Sequence, residues 1–356
     1  MLFSRKGTSL FPGHTHSTSS DAILFKNVRL SKFKDFVIPT IPYPGFRKRV
    51  WYFLPTERMR LEETNLKEKI FAYLQLMRFP NLFTSMADVL AGYLIVKGLK
   101  INSPELLALF LSTSFIYGGG CILNDFRDRK QDALERPQRP IPSGRVSTPE
   151  ALILSIIFFG LGLITAFWAG KACLFVASLL VFLAVSYDVF TKDMPVLGPV
   201  TMGACRGANL LLGMSLFVDF PGAALVFPFI SFAYVFALTT LSRFEVEGGL
   251  SGKGWVVSAC LLLVLSMVLI LNLTQHLAAD CLIYTGLLVV FVAPPLIAGL
   301  LRPAPQRVGR AVKFLILGIP LLDAIYVSGL HGWAYGIPVS LCALPSTFFS
   351  RYLYVT

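Results

Sequence analysis

The chain has 356 residues, 55% of them hydrophobic and only 15% charged, with a mean hydropathy of +0.67 and a net charge of +12. A soluble domain carries about a quarter charged residues, so a large water-exposed surface is excluded. The positive balance fits basic loops beside a membrane, and a nucleic-acid partner is not expected.

Residues 1–70 are rich in Ser, Thr, Pro, Lys and Arg, and "RLSKFKDF" and "FRKRVWYF" mix basic with aromatic side chains. This composition suits a basic, poorly ordered or interfacial N-terminal extension on the cytosolic side, with no chemistry of its own. Residues 71–330 hold the apolar blocks. The candidate spans are 80–98, 104–124, 149–170, 172–190, 195–217, 222–242, 254–274, 280–300 and 311–330, each near the roughly 20 residues that cross a bilayer. Residues 331–356 form an apolar C-terminal segment, interrupted by Pro338 and Pro345, that either spans or lies at the interface. The predicted fold is an all-α polytopic bundle of about nine transmembrane helices around a central cavity.

Loop charge sets the orientation. Arg127, Arg129, Lys130, Arg136, Arg139 and Arg145 follow the second span, Lys192 the fourth, Arg243 and Lys253 the sixth, and Arg302, Arg307, Arg310 and Lys313 the eighth. The alternate connections hold only Lys97, Lys100 and Lys171. Positive loops stay in the cytosol, so 124–145, 187–193 and 242–253 share the cytosolic face and converge there if the helices enclose one cavity. A bacterial inner membrane is the expected setting, with an organellar membrane as the alternative. The six cysteines are scattered singly among apolar residues and read as small hydrophobes, and the four histidines make no ligand cluster.

The densest chemical signal is "NDFRDRKQDALERPQRPIPSG", residues 124–144. If the second span continues as a helix, Asp125, Asp128 and Asp132 fall on one face, with Asn124 one turn before Asp128. Adjacent carboxylates repel one another unless a cation sits among them, and hard oxygen donors at this spacing suit Mg²⁺ bridging to phosphates. A solvated loop neutralised by Arg127, Arg129 and Lys130 is the plainer alternative.

With its RPxxPSG continuation, this run resembles the first aspartate-rich motif of the UbiA superfamily of intramembrane prenyltransferases. The resemblance covers roughly residues 70–330. It implies nine helices around a cavity, an isoprenyl diphosphate held through Mg²⁺ by two aspartate-rich motifs, and transfer of the prenyl group to an aromatic or lipophilic acceptor inside the membrane lipid. It places Asn124, Asp125, Asp128 and Asp132 at the metal and diphosphate, with Arg136 and Arg139 clamping the phosphates. "YDVFTKDMPVLG", residues 187–198, resembles the family's tyrosine–lysine element, which gives Tyr187 and Lys192 catalytic roles at the leaving group; an aromatic-belt tyrosine beside a snorkelling lysine is the alternative. "SRFEVEGG", residues 242–249, stands where the family has a second acidic run. Glu245 matches its central acid and is the remaining metal ligand, whereas Ser242 and Gly249 replace aspartates. Asn81 keeps its spacing from Arg78 in "LMRFPNLFTS" and is assigned to the diphosphate. Arg206, inside the fifth span with Asn209 one turn on, either contacts substrate or pairs with Asp88 or Asp323.

The expected activity is therefore Mg²⁺-dependent prenyl transfer. A terpene cyclase of the same fold and a non-catalytic binder of prenyl diphosphates are the alternatives, and a transporter does not require the acidic run at a helix end.

Overall fold

A computed structural model describes residues 55–98, 104–217, 222–247, 254–301 and 304–353, apart from the side chains of 55–65 and 244–247. Most of the N-terminal extension and the side chain of Glu245 thus lie outside the described residues. Among the described residues all regular elements are helical: α1 (Pro55–Leu76), α2 (Phe79–Lys97), α3 (Pro104–Glu135), α4 (Thr148–Ala169), α5 (Lys171–Ser186), α6 (Leu197–Met214), α7 (Val226–Glu247), α8 (Gly254–Leu273), α9 (Cys281–Leu301), α10 (Pro305–His331), α11 (Trp333–Leu341) and α12 (Ala343–Phe349). A π turn, Tyr187–Thr191, extends α5.

Eight of these helices are long and apolar enough to cross a membrane, namely α2, α3, α4, α5 with its π turn, α7, α8, α9 and α10. α6, with 18 residues, lies where the remaining expected span was placed, but it is not apolar enough to count with the eight. The chain is an integral, multi-pass membrane protein. Ile156, Phe167, Phe175, Trp255, Leu262 and Val290 on α4, α5, α8 and α9 are exposed, as lipid-facing residues must be in a bundle whose solvent is hydrocarbon. The inner wall is built from α2, α3, α5, α6, α7 and α10.

Between membrane helices there is little hydrophobic drive, so small residues that let backbones touch become decisive. Here they sit where α2 crosses α6. A Cβ on Gly92 would stand 2.2 Å from the Leu210 carbonyl oxygen, and one on Gly213 would stand 2.1 Å from that of Val89. No larger residue fits either position. The same close crossing sets Asp88 against Arg206, with Arg206 Nε 2.7 Å from Asp88 Oδ2.

α3 is the longest helix, with 32 residues. At 1.5 Å per residue it is about 48 Å long, against a hydrocarbon core of about 30 Å. It is therefore longer than the core by several turns, and the acidic motif is helical throughout. Pro140, Pro142 and Gly144 (φ 76°) turn the chain. Ser147 then caps α4 reciprocally with Glu150.

The C-terminal segment returns across the bundle. His331 at the end of α10 approaches Gly98 at the end of α2, 3.9 Å from where a Cβ would lie. Phe349 at the end of α12 packs on Phe79 at the start of α2, with ring centroids 5.0 Å apart. Residues 331 to 349 thus run the length of α2, about 28 Å, as two short helices meeting at Cys342. Pro338 and Pro345 interrupt the pattern, and each half alone is too short to span.

Candidate active site in the central cavity

A cavity of about 1640 Å³, including its open mouth, runs from the 124–139 stretch into the bundle. Its mouth is lined by Arg78, Asn124, Asp128, Arg136, Arg139, Tyr187, Asp188 and Lys192. Deeper, apolar Leu180, Met202, Val235, Leu238, Ile316 and Ile319 line the wall beside a polar band of Thr84, Ser85, Thr113, Arg206 and Asn209. Segments separated by more than a hundred residues meet here, as the shared membrane face required.

Each of the three aspartates of α3 faces a cation. Arg139 Nη1 lies 2.8 Å from Asp132 Oδ2 and 3.3 Å from Asp125 Oδ1. Arg78 Nη2 adds a contact to Asp125 at 3.4 Å and one to Asn124 Oδ1 at 3.5 Å. Lys192 is bonded to Asp128. Among the described residues, no three Asp, Glu, His or Cys side chains converge on one point. The expected trio around one cation is thus split by Arg139. Asp125 and Asp132 sit behind this arginine and hold it, and only Asp128 of the three lines the cavity. Arg136 lines it as well, with no ion pair among the described residues.

The π turn explains how "YDVFTK" reaches the same place. In an α-helix, residues five apart are about 140° apart around the axis. Here the Lys192 N–H donates to the Tyr187 carbonyl at 2.8 Å, an i to i+5 bond, and both residues line the cavity. Asp188, next in the chain, is 3% exposed and accepts from Asn124 Nδ2 at 2.7 Å. Arg243 of α7 fixes the following loop by donating to the carbonyls of Lys192 at 2.9 Å, Met194 at 2.8 Å and Asp193 at 3.1 Å.

Two cavity residues escaped the sequence reading. Asp188 was given no role, because the π turn that places it on the cavity leaves no trace in hydrophobic periodicity. Arg78 stands before α2 with φ 47°, a left-handed conformation that costs energy in a non-glycine residue and clusters at functional sites. Its sequence signals were a charge just before an apolar span and its spacing from Asn81 in "LMRFPNLFTS".

Asn81 lines the cavity one turn into α2, close to Arg78. Arg206 does not join the mouth. Its partner Asp88 lies ten residues beyond Arg78, about 15 Å along α2, and its Nη2 also donates to the Thr84 carbonyl at 2.6 Å. Around it runs a second polar layer: Asn209 Nδ2 donates to Asp88 Oδ2 at 2.7 Å, and Thr113 donates to Asn209 Oδ1 at 2.6 Å. Of the two pairings considered for Arg206, the one with Asp88 forms.

Comparison with known proteins agrees with this architecture. A curated relative from Methanothrix thermoacetophila, named digeranylgeranylglyceryl phosphate synthase, is 36% identical over 140 residues, 39% of this chain and 52% of the relative. One of the same name from Sulfurisphaera tokodaii is 26% identical over 211 residues, 54% of this chain and 75% of the relative. The chain spans about half the length of most of the curated relatives it matches. Among solved structures, one from work on digeranylgeranylglyceryl phosphate synthase in membranes overlays with a TM-score of 0.58 at 22% identity, over 74% of this chain and 99% of that one. A UbiA homologue from Aeropyrum pernix overlays at 0.57 and 14% identity, over 68% and 96%. At these identities the overlays speak for the fold alone. The description "UbiA prenyltransferase family" matches residues 85–318, well over half of the sequence, and the chain belongs to that family.

Proposed function

We propose that the protein transfers a prenyl group from an isoprenyl diphosphate to a lipophilic acceptor inside the membrane. The observation that carries this is the two-part cavity: a cationic mouth continuous with a mostly apolar interior that holds one polar band, matching a diphosphate head joined to a hydrocarbon tail. Arg78, Arg136, Arg139 and Lys192 face the head. Planar guanidinium groups suit phosphate oxygens, and Asp125 and Asp132 preset Arg139 for this contact. As the bond to the diphosphate breaks, charge grows on the leaving oxygens, and fixed cations there favour the transition state over the ground state. Tyr187, which lines the same mouth as Lys192, adds a hydroxyl there. The apolar walls exclude water from the allylic cation.

The donor set suits Mg²⁺. Asp128 and Asp188 offer hard oxygens to the cavity, and an ammonium already sits against the first of them. When bound, Mg²⁺ neutralises the diphosphate. The polar layer at Arg206 and Asn209 suits an acceptor with a polar head. Several relatives are named digeranylgeranylglyceryl phosphate synthase, so a glyceryl phosphate lipid is the acceptor class to test first, ahead of an aromatic one. In this reading residues 71–330 carry the transferase, 1–70 lie at the cytosolic interface, and the mouth opens to the cytosol.

The test is product mass spectrometry on membranes given labelled geranylgeranyl diphosphate, with and without a glyceryl phosphate lipid. An adduct mass is the expected result. A cyclised hydrocarbon formed without acceptor would instead identify a terpene cyclase.

A further inference from the structure

We propose that Asp188 is the carboxylate that completes the cation site of this cavity, in place of the acids missing from α7. The inference rests on the prenyl-diphosphate reading above and adds a ligand to it. In the α7 stretch, Ser242 stands where the resemblance calls for an aspartate, and it is Ser242 that lines the cavity. The next side chain, Arg243, is engaged with the carbonyls of the 192–194 loop. On α3, Asp125 and Asp132 are held by Arg139. Among the acids with described side chains, this leaves two lining the cavity, Asp128 and Asp188.

Asp188 is built into its position. It is almost fully buried, its carboxylate accepts from Asn124 Nδ2, and its own backbone carbonyl accepts from Arg127 Nε at 3.1 Å. The π turn directs the side chain inward, whereas a regular α-helical turn would rotate the following residues away. A carboxylate held in such a place is costly, and intramembrane acids are retained for function more often than for packing. Asn124, one turn before Asp128 on α3, holds Asp188 on the same cavity wall that Asp128 lines. Lys192 is bonded to Asp128 and lies within electrostatic reach of Asp188, so one positive charge already stands between them. A divalent ion with oxygen ligands suits that position, and the ammonium would then turn to the diphosphate.

The plain structural alternative is that Asp188 only orients Asn124. An asparagine at 188 keeps an oxygen that accepts the same hydrogen bond but carries no charge, so the two roles separate. The experiment uses the full chain in nanodiscs, with Mn²⁺ followed by electron paramagnetic resonance in the presence of the unreactive geranylgeranyl thiolodiphosphate. Asp188→Asn is expected to raise the Mn²⁺ Kd at least tenfold. Asp188→Glu should keep most of the affinity, and Ser242→Asp on the Asp188→Asn background should restore it. Wild-type Mn²⁺ affinity in Asp188→Asn overturns the proposal. If Asp188→Asn does not fold, Ser242→Asp alone decides: a third carboxylate beside an existing pair tightens Mn²⁺, and an unchanged Kd overturns the inference. If the wild type takes up the analogue without Mn²⁺, only this inference fails. If it takes up neither, the prenyl-diphosphate reading fails and the inference goes with it.

Discussion

Arg139 Nη1 bonds Asp132 at 2.8 Å while the arginine itself faces the cavity. On the proposed reading, Asp132 acts on the diphosphate through Arg139. Asp132→Asn should weaken binding of a prenyl diphosphate roughly tenfold, about 1.4 kcal/mol, and leave the metal concentration needed for half-saturation unchanged. A shift in that midpoint would make Asp132 a metal ligand after all. Isothermal titration across metal concentrations separates the two.

Asp88 and Arg206 form a buried pair deep in the bundle, beside Asp323 on α10. Removing one partner strands a charge, which typically costs about 3–5 kcal/mol, whereas replacing both with apolar residues is often tolerated. Asp88→Leu should lower the melting temperature in detergent sharply, and Asp88→Leu with Arg206→Leu should recover much of the loss. Purely additive effects in this cycle would show that the pair is not coupled.

The α2–α6 crossing depends on two glycines. Gly213→Leu would drive a side chain into the Val89 carbonyl, so the helices must separate and the Asp88–Arg206 contact with them. We expect loss of monodisperse protein in detergent, assayed by size-exclusion chromatography. Gly160, with open space around its Cβ position, is the control, and Gly160→Leu should behave like wild type.

The return of the C-terminal segment fixes its topology. Cysteines introduced at Ser147 and Ser350 should react with an impermeant thiol reagent from the same face, and one at Asp280 only from the other. Native cysteines are the background to subtract. Reaction of Ser350→Cys and Asp280→Cys from one face would mean that residues 333–349 do not cross.

Hydrophobic blocks made the spans legible, and loop charge predicted that the polar stretches share one face. The acidic run on α3 was legible as a site because charge at the mouth of an apolar span has little else to do. What the run does residue by residue was not. Asp125, Asp128 and Asp132 look equivalent at helical spacing, and only the position of Arg139, brought back by the Pro140–Gly144 turn, divides them into two that hold an arginine and one that faces the cavity. Asp188 was hidden for a different reason: a single π turn changes which way a side chain points without changing composition. The Arg206–Asp88 pair was visible as an option because charges within spans need partners, but the choice of Asp88 depended on a close crossing of two helices distant in sequence.

The most direct test of prenyl transfer is pyrophosphate release by the purified chain with geranylgeranyl diphosphate and a glyceryl phosphate lipid. The wild type should release pyrophosphate only with Mg²⁺ present, and Asp128→Ala should reduce the rate by two orders of magnitude or more, about 2.7 kcal/mol or above. Release that survives both chelation and Asp128→Ala, or none from any allylic diphosphate, would contradict it.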